Sequence, residues 1–224
     1  MTTGFQRARR PEQMAARRSA IMAIARAMLA EKNVTDISLR ELSDRVGLAK
    51  SNVLRYFDSR EAIFLEVLDE ECRAWLDEVD SRLGKPRARK AHYTSEIRVA
   101  WTIADSLVER QLFCELLASM AGVLERNISA DFARDFKARA MAKTEALAEL
   151  VGRQLPWLPK EFTEFFAEGA LTLTAGMYPF SVPTEPVRAA MDEMGYPDPR
   201  QRLADGLRAG LVTWLIGAAA RGEA

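Results

Sequence analysis

Apolar positions along this chain recur almost everywhere at intervals of three and four, the period that places them on one face of an α-helix. From Pro11 to Lys32, the set Ile21, Ile24, Ala25, Met28 and Leu29 forms such a face, with charges opposite and Asn33 as a stop. Ser38 followed by Glu41 is a capping-box spacing that opens a short helix with Leu39, Leu42 and Val46 in line, closed by Gly47. A further short segment spans 50–57, and Ser59 caps a long helix to about 82 that buries Ile63, Phe64, Val67, Leu68 and Trp75. Gly84 and Pro86 break the pattern. Beyond them helices are expected at 91–109, 111–126, 129–154, 159–178 and 200–221, punctuated by prolines. No sustained alternation of apolar and polar residues marks a strand, so the expected fold is all-α.

Composition narrows the class. A chain of 224 residues with 48% hydrophobic and 29% charged residues fits one large or two small globular domains. Cys72 and Cys114 stand far apart without metal-ligand spacing, and the lone His92 has no partner, so no metal and no cofactor is expected. With no signal-like start and no long apolar run, the expected location is the cytoplasm. The net charge of zero hides an asymmetry. Residues 1–60 carry 12 basic and 6 acidic side chains, and the rest carries the compensating acidic surplus. A basic end of this kind suits a polyanion.

Two short helices joined through a glycine turn and packed on a longer first helix have the form of a helix-turn-helix. Within it, Val53 and Phe57 sit four apart and face inward with Leu39, Leu42 and Val46, leaving Lys50, Ser51, Asn52 and Arg55 outward. Lys and Arg favour guanine and Asn favours adenine, each good pair discriminating by about 1–3 kcal/mol, while Ala49 could touch only a thymine methyl. Arg40, Tyr56, Arg60 and the helix start at Ser38 suit phosphates, which position without specifying sequence. The stretch 38–68, SLRELSDRVGLAKSNVLRYFDSREAIFLEVL, resembles the DNA-binding segment of the TetR family of transcriptional regulators. The features that carry the resemblance are Ser38, Gly47, Lys50-Ser51-Asn52, Tyr56-Phe57 and Ser59-Arg60-Glu61. Leu54 replaces the aromatic residue usual in the family, and Ala49 forgoes a capping side chain.

The expected organisation is a helix-turn-helix DNA-binding domain over 1–60 with a flexible basic tail at 1–11, a connecting helix at 61–83, and an effector-binding and dimerisation domain at 84–224. Arg7, Arg9 and Arg10 of the tail are candidates for an adjacent minor groove. The resemblance implies a repressor that binds a palindromic site as a homodimer and is released by a small, apolar effector that shifts the helix at about 60–82. For the effector pocket the candidates are Ile97, Trp101, Phe113, Leu116, Leu117, Met120, Met141, Phe166, Met177 and Tyr178, because aromatic and methionine side chains adapt to small molecules. Glu115, Thr172 and Thr174 are candidate polar contacts. For the dimer face they are Phe162, Phe165, Gly169 and Leu173, with Leu203, Gly206, Leu207, Gly210, Leu211, Trp214 and Ala218, where small residues permit close helix approach. Two other classes stand beside this reading. A helical adaptor would use the glycine-containing helices for protein partners, and a small α-helical enzyme would need a nucleophile, phosphate-loop or metal motif that the sequence lacks.

Overall fold

The computed structural model describes residues 4–89 and 91–222, with side chains from 12 onward except those of 90 and 222. The first three residues of the expected basic tail, and the side chains of the rest of it, lie outside the described residues. The fold is all-α, with no strand among the described residues. The chain forms two compact units. One takes residues up to Glu70 together with Ser119–Lys137, the other Glu71–Ala118 together with Ala138 onward. The division therefore falls inside a continuous helix rather than at the Gly84–Pro86 break, and 119–137 joins the first unit.

The first unit holds α1 (Gly4–Leu29), α2 (Leu39–Val46), α3 (Lys50–Val53) and the start of α4 (Arg60–Leu83). Its buried residues include Ile21, Ala25, Met28, Ile37, Leu42, Val53, Phe57, Ile63 and Phe64. Ser38 caps α2, its hydroxyl accepting from Glu41 N at 3.1 Å. Gly47 ends the helix at φ 72°, a left-handed conformation that costs glycine little. Asp58 Oδ2 accepts from Ser129 N at 2.7 Å, which ties 119–137 to this unit. The sequence predicts one helix over 111–126. The chain instead leaves α6 (Gln111–Ser119) and turns before a single 3-10 turn at Leu124–Asn127, with the poor helix former Gly122 in the break.

The second unit contains α5 (Thr94–Val108), most of α6 and of α7 (Ala130–Gln154), α8 (Lys160–Met177), α9 (Glu185–Glu193) and α10 (Pro199–Gly222). α10 packs on α5 and on α8. The fully buried Trp75 indole donates to Ser106 Oγ at 2.9 Å and stacks on Phe113 with ring centroids 5.3 Å apart. Arg98 bridges the second unit's elements, donating to Gln154 Oε1 at 2.7 Å and to the Leu83 carbonyl at 3.3 Å. α9 is a helix where the proline pattern predicts none.

Candidate nucleic-acid interface

α2 and α3 are too short to stand alone, so their apolar side chains must be held by the rest of the first unit. Val53 is fully buried and Phe57 is 4% exposed. Anchored there, α3 turns Lys50, Ser51 and Asn52 outward, and all three are exposed, as are Ala49 and Arg55. No side chain caps α3, since Ala49 occupies the cap position. Its regular part ends at Val53, earlier than the expected 57, because Arg55 N and Tyr56 N bond three residues back in tighter turns. Arg40 is exposed and pairs loosely with Asp44 at 3.8 Å. Tyr56 is half-buried.

Arg60 departs from expectation. It donates to the Ile37 carbonyl at 2.6 Å, pairs with Glu61 at 2.8 Å and keeps 17% of its side chain exposed. Its guanidinium is used to fasten the start of α4 to the segment before α2, so it is not free to meet phosphates. Arg18 does similar work, donating to the Tyr56 carbonyl and lying 4.2 Å over the Phe57 ring centroid. Beside it, Gln13, Ala16, Arg17 and Ala20 of α1 face Arg55 and Tyr56 across an open groove of about 890 Å³. The sequence pattern does not single out these α1 residues, although their spacing of three and four traces a second face beside the buried one.

In the second unit the candidate pocket residues differ widely in exposure. Phe113, Leu116, Leu117, Phe166 and Tyr178 are buried core, whereas Trp101 is 51% and Met141 64% exposed. Met120 lies in the first unit. Ile97 and Met177 are half-buried, and Met177 packs over Gly206. Burial pushes the Tyr178 hydroxyl up to about 12, with Glu115 adding to the effect. A groove of about 350 Å³ does exist, but Glu145, Glu149, Lys160 and Glu164 line it with Leu158, and none belongs to the expected set.

The dimer candidates divide. Leu203, Leu207, Leu211 and Ala218 are buried within the monomer, where α10 meets α5 and α8, and so are corrected to core. The glycines do permit close approach, but within the chain. A Cβ at Gly169 would lie 2.3 Å from the Trp214 ring, one at Gly206 2.2 Å from Met177 and one at Gly210 2.7 Å from Leu173. Phe165 is 58% exposed and Trp214, Leu173 and Phe162 are half-buried, so an apolar face remains outside.

The family model for bacterial regulatory proteins of the tetR family matches residues 21–67, and that for the tetracyclin repressor-like C-terminal domain matches 69–222. This chain belongs to the TetR family of transcriptional regulators. Two solved structures of regulators share its fold. The fatty acid degradation regulator FadR from Bacillus halodurans is 13% identical with a TM-score of 0.54, covering 88% of this chain and 94% of its own. The TetR family repressor AlkX from Dietzia sp. strain DQ12-45-1b, implicated in biodegradation of n-alkanes, is 14% identical with a TM-score of 0.52, covering 90% and 96%. No curated protein matches the sequence. As a TetR-family member the chain is a DNA-binding transcriptional regulator, not an enzyme.

Proposed function

We propose that this TetR-family regulator is a repressor that binds a palindromic operator as a homodimer. Lys50, Ser51 and Asn52 address base edges, with Ala49 against a thymine methyl. Arg40, Arg55, Tyr56 and the Ser38 end of α2 hold phosphates. The observation that carries this reading is the contrast across one turn: Val53 and Phe57 buried, Lys50, Ser51 and Asn52 exposed. One such module makes few contacts, and a dimer doubles them over half-sites spaced about one helical turn or a multiple apart. The exposed part of α8 and α10 around Phe165, Leu173 and Trp214 supplies the dimer face. Release by a small apolar effector in the second unit, through a shift of α4, completes the cycle, and the family supports that step. A regulator of DNA shares its compartment, which places it in the cytoplasm.

Selection from random duplexes tests the reading directly. A palindromic consensus is expected, and Asn52→Ala should relax preference at one position per half-site by about 1–3 kcal/mol. No sequence preference would overturn it and favour the helical adaptor. Sedimentation of Phe165→Glu should show monomers where the parent chain is a dimer.

A further inference from the structure

α1 carries two arginines in succession, and their surroundings are opposite. Arg18 is consumed inside the first unit by the Tyr56 carbonyl, the Phe57 ring and Glu66 at 3.6 Å. Arg17 lies about 100° round the helix from it. It is exposed, and its side chain meets no acidic group among the described residues. Arg55, on the opposite wall of the same groove, has no acidic partner among the described residues either. On the α1 wall Ala16 and Ala20 stand either side of Arg17, Gln13 and Met14 complete it, and no carboxylate lines the groove. Two like charges gathered on one concave surface repel unless an anion joins them. The groove follows immediately on the exposed Lys50–Asn52 turn, so an anion there lies beside whatever α3 reads.

We propose that this groove takes a phosphodiester of the DNA backbone next to the base pairs addressed by α3. Arg17 and Arg55 clasp it from either wall, with Gln13 and Tyr56 as neutral donors. The inference rests on the DNA-binding reading above and brings α1 into it. It also gives the family's departure at Leu54 a compensation, since α1 supplies the phosphate ligand that an apolar Leu54 cannot offer.

The test is fluorescence anisotropy with a random-sequence duplex, between about 50 and 200 mM salt. Arg17→Ala should lower the slope of log affinity against log salt by about 0.9, the value for one phosphate contact. Arg17→Lys should restore it, and Ala16→Glu should weaken binding to every duplex without altering the preferred sequence. Thermal melting of all three should match the parent chain, as these positions are exposed. If the parent binds duplex and the slope of Arg17→Ala is unchanged, the groove is not a backbone site and the proposal fails while DNA binding stands. If in addition inorganic phosphate raises the melting temperature of the parent but not of Arg17→Ala, the groove is a free-anion site, which also overturns it. If the parent binds no duplex at any salt, the DNA-binding reading falls and takes this inference with it.

Discussion

The turn at α2–α3 and the pair α8–α10 carry the same signature, apolar residues every three or four positions, yet the two stripes mean different things. α2 and α3, of eight and four residues, have one face to bury, so locating Val53 and Phe57 inside settles that Lys50, Ser51 and Asn52 are outside. α10 has 24 residues and is touched by both α5 and α8. Its leucines go to the core, its glycines accept Met177 and Leu173 of the same chain, and only the remainder is left for a partner. A stripe shows where a helix is covered. It does not show by what.

The sharpest way to break this comparison is Leu211→Ala. As a fully buried core residue it should cost about 2–5 kcal/mol of stability, read by denaturant unfolding, without changing the operator sequence chosen. Were Leu211 instead a dimer residue, the loss would appear as dissociation and would depend on protein concentration. Gly169→Ala comes next. The added methyl meets the Trp214 ring, so overpacking of about 1–3 kcal/mol is expected, and a smaller side chain in place of the ring, Gly169→Ala with Trp214→Leu, should recover part of it. Ser38→Ala removes the α2 cap and should cost about 1 kcal/mol, with Ser38→Asp close to the parent.

The smallest effect is electrostatic. Hydrogen bonds from Ser129, side chain then backbone, hold the Asp58 carboxyl below its ordinary value of 3.8. A depressed carboxylate stabilises above its unfolded pKa and loses that contribution as pH falls through the folded one. The protection factor of amides near Ser129, the exchange rate corrected for its intrinsic pH dependence, should therefore hold steady from neutral down to the usual carboxylate range and fall only below it. Asp58→Asn should abolish that dependence.

What can be read from the chain is what short-range chemistry decides. The Ser38 cap, the Gly47 stop and the outward triplet on α3 each depend on residues within a few positions, and each is present in the fold, although the Glu41 carboxylate accepts from Lys32. α9 is hidden because its proline reads as a breaker. Pro186 stands in the first turn, where the missing N–H has no intrahelical partner to lose. Arg60 looks like a phosphate ligand because nothing local announces the distant Ile37 carbonyl it binds. The pocket set is hard to read for a related reason. Aromatic and methionine residues fill cores as readily as they wall cavities, and only the packing of Phe113, Leu116 and Phe166 decides between them. Part of the site is legible, then, and the α1 wall of the groove is not, because it depends on two segments about forty residues apart.

Tryptophan distribution has a practical corollary. All four indoles, at 75, 101, 157 and 214, fall in the second unit, and Tyr56 is the first unit's one phenol. Ultraviolet emission excited at the indole band therefore watches one unit alone, whereas far-ultraviolet dichroism watches both. If the two optical melting curves superimpose, the units unfold together; if they separate, each half of the regulator melts on its own.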